Sequence, residues 1–266
     1  MAQNSAGLAV VTGASTGIGA VYADRLARRG HDLLLVARNR ERLEANAAKI
    51  AAETGRKVEV LVADLANGAD VAKLAERLAT DPSVTLLVNN AGVSLTGTLL
   101  DTDPAAVEGL MALNIVAPTL LAGAAGKAFL ARNAGTIVNI SSVLALAPER
   151  FDGVYSGSKA HLLNLTLSLA ETLKGTGVKV QAVLPGATRT EIWERSGKDV
   201  DALLPGRVMD AGDMVDAALL GLDRGEVVTI PPLADEGLFQ AYTAARLALT
   251  PFLSERDVAP RYRKAA

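Results

Sequence analysis

A run of strand-forming residues passes directly into a glycine-rich turn at Leu8-Ala9-Val10-Val11-Thr12-Gly13-Ala14-Ser15-Thr16-Gly17-Ile18-Gly19. The pattern predicts a strand, a tight turn and the start of a helix. Glycines in such a turn let backbone N–H groups approach a pyrophosphate, whose charge the helix N-terminus stabilises. The spacing G-x-x-x-G-x-G is not a P-loop, because no Gly-Lys-Ser/Thr follows it. A glycine-rich turn without a ligand is the alternative, but we expect a dinucleotide bound by Gly13, Ser15, Thr16, Gly17, Ile18 and Gly19.

The rest of the chain repeats this alternation of apolar runs and helical periods. Apolar runs predict strands at Leu8–Thr12, Asp32–Ala37, Val58–Ala63, Thr85–Asn89, Gly135–Ile140, Lys179–Leu184 and Glu226–Ile230. Amphipathic stretches predict helices at about 17–29, 39–54, 67–79, 104–131, 154–174 and 211–223. Continuous apolar runs are typical of strands covered on both faces. The sequence thus predicts one α/β domain over 1–266, a doubly wound parallel sheet with helices on both faces.

Composition narrows the classes of protein to which the chain can belong. Its 266 residues carry 27 Lys and Arg against 29 Asp and Glu, a net charge of −2, so nucleic acid is not an expected partner. The absence of cysteine excludes disulfides and a cysteine nucleophile, and no metal site is predicted. The first residues do not follow a signal-peptide pattern. The longest apolar run, Ile115 to Ala131, is interrupted by Pro118, two glycines and Lys127, so we expect a cytoplasmic protein without a membrane span.

The end of the second strand bears on which dinucleotide is bound. An acid at this position accepts hydrogen bonds from the ribose hydroxyls of NAD, whereas a cation favours the 2′-phosphate of NADP. The residue present is Arg38, which predicts a preference for NADP(H), with NAD(H) possible; a solvated residue at the helix entrance is the alternative. Arg42, one turn further on, either assists Arg38 or, as the favoured alternative, pairs at the surface with Glu41 or its neighbours.

Other strands end in residues suited to line a dinucleotide cleft. The acid after the third strand either accepts a hydrogen bond from the adenine amino group or caps the helix that begins near Asn67. The amides after the fourth strand can tie neighbouring strands together, and the glycine that follows leaves room for a ring. The turn after the sixth strand offers backbone groups and two threonine hydroxyls, which are phosphate partners or simple turn residues. The predicted cofactor contacts of these segments are Asp64, Leu65, Asn90, Ala91, Gly92, Pro185, Gly186, Thr188 and Thr190.

A serine, a tyrosine and a lysine follow the fifth strand. Ser142 ends the strand, and Tyr155 and Lys159 lie four residues apart on one face of the next helix. A tyrosine with an ordinary pKa near ~10 is a poor acid–base group at neutral pH, and a neighbouring ammonium lowers that pKa. We therefore assign proton transfer to Tyr155, tuning of its pKa and contact with the cofactor ribose to Lys159, and orientation of a carbonyl oxygen to Ser142. Asn114 is assigned a water that links Lys159 to solvent; a buried amide that satisfies the backbone is the favoured alternative.

Two segments depart from the alternation of strands and helices. The long connection 187–210 is interpreted as a lid over the substrate. A largely apolar substrate pocket is predicted, with lid-to-core packing as the alternative, from Leu144, Leu146, Phe151, Ile192, Trp193, Leu203, Leu204 and Met209. After Pro231 and Pro232 a C-terminal extension spans about 233–266, with a helix predicted at Glu236–Leu249.

The region from about Leu8 to Ile230 resembles the short-chain dehydrogenase/reductase family, because these motifs follow one another in the order that the family has. The matching positions are Thr12–Gly19, Asp64, Asn89–Gly92, Asn114, Ser142, Tyr155, Lys159 and Pro185–Gly186. The resemblance implies a seven-stranded Rossmann-type sheet, an Asn–Ser–Tyr–Lys tetrad, an NAD or NADP cofactor, and reversible interconversion of alcohols and carbonyls. It also implies a homodimer formed through the helices at 104–131 and 154–174. Many members build a tetramer at the edge where this chain has its extension, so we expect a dimer, with a tetramer possible.

The predicted function is that of an NADP(H)-dependent oxidoreductase that interconverts a carbonyl and a secondary alcohol on a largely apolar small molecule. An NAD-dependent alcohol dehydrogenase of the same family is the first alternative. A non-catalytic dinucleotide sensor is the second, because a fold does not dictate a function. A sensor does not need Ser142, Tyr155 and Lys159 together, which disfavours it.

Overall fold

The computed structural model describes residues 6–95, 97–191 and 199–263 of the chain. The chain divides into two compact units, Met1–Pro232 and Leu233–Ala266. The division falls at Pro232, next to the point where the sequence predicts the start of an extension. The larger unit contains the sheet and the residues assigned to the site, and the organisation of 1–266 as one domain stays a prediction.

Seven parallel strands form the sheet of the larger unit, in the order β3-β2-β1-β4-β5-β6-β7. Their bounds are β1 Leu8–Thr12, β2 Asp32–Ala37, β3 Val58–Val62, β4 Val84–Asn89, β5 Gly135–Ile140, β6 Val178–Val183 and β7 Val228–Thr229. The direction in which strands are added reverses between β1 and β4, and such a switch point opens a crevice at the carboxyl ends of the strands. The predicted Rossmann-type α/β fold is confirmed.

The edge strand β7 is shorter than the predicted strand Glu226–Ile230. The backbone N–H of Glu226 bonds to the carbonyl of Gly221 at 3.0 Å, within the turn that precedes the strand, so it does not pair with β6. On the other side Pro231 has no N–H with which to extend the ladder. The residues in register with β6 are therefore Val228 and Thr229, and the carbonyl of Val227 accepts one further hydrogen bond from the N–H of Ala182.

Most helices described in the larger unit lie close to their predicted positions, but the short helix Val200–Leu203 falls in the connection 187–210, where no helix is predicted. They are α1 Gly17–Arg28, α2 Arg40–Thr54, α3 Gly68–Thr80, α4 Pro104–Met111, α5 Ala117–Arg132, α6 Gly153–Thr172, α7 Val200–Leu203 and α8 Ala211–Asp223. The single helix expected at 104–131 is divided by a π-helical turn, Ala112–Val116. Pro118 lacks the N–H that would bond to the carbonyl of Asn114 four residues earlier, which favours the wider turn.

Apolar layers cover both faces of the sheet. On one face α1, α2 and α8 pack against the strands through side chains such as Leu26 and Met214. On the other face α3 and α5 pack through side chains such as Leu74 and Phe129. The strands are thus covered from both sides by apolar side chains.

The segment Pro104–Arg132 is long and apolar enough, by length and composition alone, to be a candidate membrane span, since an 18-residue stretch within it has a mean hydropathy of 1.6. The expectation that Pro118 and Lys127 interrupt this run too strongly is therefore wrong on that criterion. A core helix passes the same test, and α5 packs against α3, β4 and β5. The absence of a membrane partner stays a prediction.

The smaller unit is the C-terminal extension. Its helix α9, Glu236–Ala248, confirms the predicted helix Glu236–Leu249. Asp235 caps this helix by accepting a hydrogen bond from the N–H of Gly237 at 2.9 Å. None of the described residues of α9 is buried.

Candidate active site

A hydrogen-bonded cluster joins the carboxyl ends of β1 and β4. Thr12 Oγ1 accepts from the backbone N–H groups of Asn90 at 2.9 Å and Ala91 at 3.0 Å. The side-chain amide of Asn90 donates to the carbonyl of Thr12 at 2.9 Å. These hydrogen bonds link β1 to β4, as expected for the amides after the fourth strand. They fix the backbone at the base of the crevice at the switch point.

The turn between β1 and α1 leaves no space for side chains at two of its glycines. A Cβ on Gly19 would lie 2.3 Å from the carbonyl oxygen of Gly13, and one on Gly13 would lie 2.9 Å from Ala91 Cα. Gly17 adopts φ +56°, which favours glycine. Thr16 is the N-cap of α1, but its side chain makes no capping hydrogen bond. Backbone N–H groups in the first turn of α1 are therefore not capped by the Thr16 side chain. They can donate to another acceptor, such as the pyrophosphate of a dinucleotide.

Arg38 lies at the end of β2, opposite Asp64 at the end of β3. Arg38 Nη1 is 3.8 Å from Asp64 Oδ2, and the two side chains are 62% and 45% exposed. The helix α3 is capped by Asn67, which accepts from the N–H of Ala69 at 2.8 Å. The alternative in which Asp64 caps this helix is therefore wrong: Asp64 Oδ1 accepts instead from the N–H of Ala66 in the preceding turn.

Arg42 pairs with a residue that is distant in sequence. Its Nη1 lies 2.5 Å from Glu191 Oε2, in the connection that follows β6. The predicted pairing with Glu41 or its neighbours is therefore wrong, and the physical reason is that adjacent residues on a helix do not face each other. Asn39 holds the first turn of α2 by accepting from the N–H of Arg42 at 2.9 Å.

Ser142, Tyr155 and Lys159 meet at the end of β5. Ser142 Oγ accepts from the N–H of Leu144 at 3.1 Å and is hydrogen-bonded to the Tyr155 side chain. Lys159 Nζ donates to the carbonyl of Ile140 at 3.0 Å and lies 5.5 Å from the centroid of the Tyr155 ring. The structure therefore brings together the three residues that the sequence assigns to proton transfer.

Burial changes the acid–base properties of this group. It raises the pKa of Tyr155 to about 12, although the hydrogen bond with Ser142 acts in the opposite direction. It also lowers the pKa of Lys159 to about 8. The prediction of a net lowering of the Tyr155 pKa is wrong for this state, because loss of solvation disfavours the phenolate and outweighs the opposing effects.

Asn114 is buried in the π-helical turn. Its Oδ1 accepts from the N–H of Val93 at 2.9 Å, and its Nδ2 donates to the carbonyl of Val93 at 2.9 Å and to Ser158 Oγ at 3.2 Å. A Cβ on Gly92 would lie 3.2 Å from Asn114 Oδ1 and 3.4 Å from Lys159 Nζ, so the glycine lets both groups approach. The amide satisfies the backbone, as the favoured alternative has it, and a water held by Asn114 stays a prediction.

The turn after β6 lies against the glycine-rich turn. The carbonyl of Pro185 accepts a backbone N–H from the segment after β5 at 3.0 Å. Thr188 Oγ1 donates to the carbonyl of Gly186 at 3.1 Å, which agrees with its reading as a turn residue. The side chain of Thr190 lies 3.2 Å from the position of a Cβ on Gly17. Of the two predicted threonines, Thr190 therefore borders the candidate phosphate site.

Several predicted side chains lie partly in the core. Leu65 is 4% exposed, and Ile18 packs beside the core on the α1 side. Ser15 is half-buried in the turn. Their contacts with a cofactor stay predictions.

The residues predicted to line a substrate pocket are divided between two segments. Leu144, Leu146 and Phe151 precede α6 and are half-buried, and the Phe151 ring meets Tyr155 edge-on with 5.7 Å between centroids. In the connection 187–210, whose role as a lid stays a prediction, Met209 packs against the core and Leu204 is exposed. Leu203 ends α7. Ile192 and Trp193 lie outside the described residues.

Sequence reasoning missed residues that hold the catalytic helix in place. Asp152 caps α6, accepting from the N–H of Tyr155 at 2.8 Å. Ser141 Oγ donates to the carbonyl of Lys159 at 2.7 Å. The acid three residues before Tyr155 is a recognisable N-cap signal. The contact of Ser141 has no local signal, because it joins residues on two different elements.

Comparison with known proteins identifies the family. A family model described as short chain dehydrogenase matches residues 7–201. A short-chain dehydrogenase from Sphingobium yanoikuyae, solved in complex with NADPH, is 46% identical with a TM-score of 0.93, and the match covers 96% of this chain and 100% of that one. A bulky-bulky ketone specific alcohol dehydrogenase from Comamonas testosteroni is 39% identical with a TM-score of 0.89, covering 97% and 99%. An uncharacterised oxidoreductase from Staphylococcus saprophyticus is 31% identical over 84% of this chain and 94% of its own length. The chain therefore belongs to the short-chain dehydrogenase/reductase family of oxidoreductases, which interconvert alcohols and carbonyl compounds with NAD(P)(H).

Proposed function

We propose that this chain is an NADP(H)-dependent enzyme that interconverts a ketone with two bulky apolar substituents and the corresponding secondary alcohol. The observation that carries the proposal is the Tyr155 hydroxyl, hydrogen-bonded to Ser142 and backed by Lys159 at the sheet edge. The glycine-rich turn at the same edge, with its tight glycines, fits the cofactor pyrophosphate.

A nicotinamide held at this edge of the sheet would supply the hydride to the carbonyl carbon in reduction and take it back in alcohol oxidation. Tyr155 holds its proton at neutral pH because burial raises its pKa to about 12, and it donates this proton to the carbonyl oxygen. Ser142, bonded to the same hydroxyl, positions that oxygen. The ammonium of Lys159 stabilises the phenolate left on Tyr155. With a pKa of about 8, Lys159 exchanges protons readily near neutral pH, which supports the return of a proton to Tyr155.

The role of Tyr155 is tested by Tyr155→Phe, which removes the hydroxyl and keeps the ring. We expect turnover to fall by about two to four orders of magnitude, the usual contribution of a general acid. Dissociation constants for the cofactor should stay within about threefold of wild type, since the hydroxyl is not its main contact. A variant with wild-type turnover would overturn the assignment.

The preference for NADP(H) is supported by Arg38 at the end of β2, and by the relative solved with NADPH. Replacement of Arg38 by Asp should weaken NADPH binding at least about tenfold and leave NADH binding nearly unchanged. The matched control is the same replacement at Arg40, which lies on the first turn of α2 and pairs with Glu44. An equal loss for both cofactors would contradict a 2′-phosphate contact.

The alternative preference for NAD(H) is favoured by one contact. Asp64 lies 3.8 Å from Arg38 and offsets part of its charge. Equal affinity of the wild-type enzyme for NADPH and NADH would favour this alternative.

The substrate class is supported by the half-buried apolar residues beside Tyr155 and by the likeness to the bulky-bulky ketone enzyme. Initial rates with NADPH should be compared for a phenyl pentyl ketone, acetone and a ketose. We expect kcat/KM to be largest for the aryl alkyl ketone. A larger value for the ketose would overturn the apolar assignment.

A homodimer in the cytoplasm completes the proposal. Large apolar side chains on the segment α4–α5 are exposed, namely Met111, Val116, Leu120 and Leu130. A face of this kind is typical of an interface between subunits. Light scattering after gel filtration should give twice the mass of the chain, and replacement of Leu120 by Glu should give the monomer mass.

A further inference from the structure

The ion pair between Arg42 and Glu191 places a carboxylate beside the candidate 2′-phosphate site. The two side chains meet at 2.5 Å, and 149 residues separate them in sequence. Arg42 belongs to the first turn of α2, four residues after Arg38. A carboxylate there opposes a second anion bound by the same guanidinium.

The two residues that precede Glu191 are anchored. The N–H of Arg189 donates to the carbonyl of Met209 at 2.9 Å, and the guanidinium of Arg189 pairs with Asp201 through both of its terminal nitrogens. Thr190 lies against Gly17 in the glycine-rich turn. Glu191 thus directly follows two residues that are fixed by contacts with the rest of the larger unit, and its side chain reaches Arg42 on α2.

Each of the two cations at this site is paired with a carboxylate. The cations Arg38 and Arg42 are paired with Asp64 and Glu191, at 3.8 Å and 2.5 Å. A phosphate monoester brings a charge of about −1.5 to −2 at neutral pH. It must compete with Glu191 for Arg42, whereas the ribose hydroxyls of NAD(H) carry no charge and do not compete.

We infer that Glu191 is a cofactor-specificity residue that weakens the enzyme's discrimination in favour of a 2′-phosphate. This inference rests on the proposed NADP(H) preference only for the location of the phosphate. It assigns Glu191 a negative contribution that acts through Arg42.

Two adenosine fragments test the inference without any turnover. Adenosine 2′,5′-bisphosphate carries the 2′-phosphate and adenosine 5′-monophosphate lacks it, so the dissociation constant of the monophosphate divided by that of the bisphosphate measures discrimination at this site. We expect Glu191→Gln to bind the bisphosphate about threefold to tenfold more tightly, as for loss of a like charge at a partly exposed site, with the monophosphate unchanged. Titration calorimetry at 50 mM and 300 mM salt should show that the gain shrinks at high salt.

Matched variants keep the result interpretable. Glu44→Gln removes a carboxylate of the same charge from α2, the helix that carries Arg42; Glu44 pairs there with Arg40, and its replacement should change the ratio by less than about twofold. Glu191→Ser is a second replacement at the same position and should tighten the bisphosphate likewise. An unchanged or weaker affinity in both Glu191 variants would overturn the inference.

Failure of the proposed cofactor preference gives a different pattern. In that case wild type would bind the two fragments equally, and Arg38→Asp would leave their ratio unchanged. The inference would still require Glu191→Gln to raise the ratio, and it fails if the ratio stays the same. The proposed cofactor preference is thus tested by Arg38→Asp, and the inference about Glu191 is tested by Glu191→Gln.

Discussion

The hydroxyl of Ser141 donates a hydrogen bond to the main-chain carbonyl of Lys159 at 2.7 Å, and both residues are buried. Lys159 in turn donates through Nζ to the carbonyl of Ile140, the last residue of β5. Two hydrogen bonds thus fasten one turn of α6 to the end of one strand. These two bonds fix the positions of Tyr155 and Lys159 relative to Ser142.

Loss of the Ser141 hydroxyl should therefore impair turnover more than cofactor binding. In Ser141→Ala the carbonyl of Lys159 loses this partner, and the helix can shift relative to Ser142. We expect kcat to fall about tenfold, since small misplacements of reacting groups are costly. Stopped-flow titration with NADPH should give an affinity within about twofold of wild type.

Ser141→Thr is the matched variant for this prediction, because it keeps the hydroxyl. Its kcat should recover most of the loss seen in the alanine variant. If Ser141→Ala had wild-type kcat, the contact would have no positioning role.

The rate of ketone reduction should fall above about pH 8. Tyr155, with a pKa of about 12, keeps its proton throughout the accessible range, so the change reports Lys159, whose pKa is about 8. Above that pH the lysine loses the charge that stabilises a forming phenolate. Alcohol oxidation requires the phenolate at the start and should rise with pH. Both profiles are measured as kcat/KM between pH 6 and pH 10.

Lys159→Arg provides the control for the pH profile. A guanidinium does not lose its proton in this range, so the decline above pH 8 should disappear from whatever activity remains. A wild-type profile that is flat from pH 6 to pH 10 would contradict the assignment of the decline to Lys159.

The sequence could predict those parts of the fold and site that are encoded locally. The run from Leu8 to Gly19 contains the strand, the turn and the helix start in consecutive residues. Tyr155 and Lys159 share a face because helical period alone places them there. The position of Arg38 follows from the end of a continuous apolar run.

The remaining features depend on tertiary packing, which the sequence does not display. The pairing of Arg42 with Glu191 and of Ser141 with Lys159 joins segments that meet only in the folded chain. The direction of the Tyr155 pKa was mispredicted because the charge of a neighbour can be inferred from a motif, whereas the loss of solvation cannot. Burial acts on both members of the pair and raises the pKa of Tyr155.

Lys159 should also make the stability of the enzyme depend on pH. Burial lowers its pKa from 10.5 to about 8, so between these values the unfolded chain is protonated and the folded chain is not. The free energy of unfolding therefore rises with pH over this window, by about 2 kcal/mol between pH 7.5 and pH 9.5. Tyr155 acts in the opposite direction only above pH 10, because its raised pKa favours the neutral form.

Lys159→Met should remove this rise, as measured by urea unfolding of the variant and wild type at the two pH values. Lys174→Met is the control, since the Lys174 side chain is 75% exposed and its substitution should preserve the wild-type difference. Equal pH dependence in Lys159→Met and wild type would show that the lysine is not held in an unfavourable charge state.

Gly19→Ala should disturb the candidate phosphate site through the backbone. The added Cβ would lie 2.3 Å from the carbonyl oxygen of Gly13, which is part of the main chain and cannot rotate away. We expect a loss of about 1–3 kcal/mol in the free energy of unfolding from overpacking, and at least about tenfold weaker binding of NADPH. Gly109→Ala is the control, because a Cβ on Gly109 meets no atom within 4 Å. That helical substitution should stabilise the protein by about 0.5–1 kcal/mol and leave binding unchanged. Wild-type affinity in Gly19→Ala would mean that the turn after β1 can move without loss of the cofactor, and its assignment as the pyrophosphate site would fail.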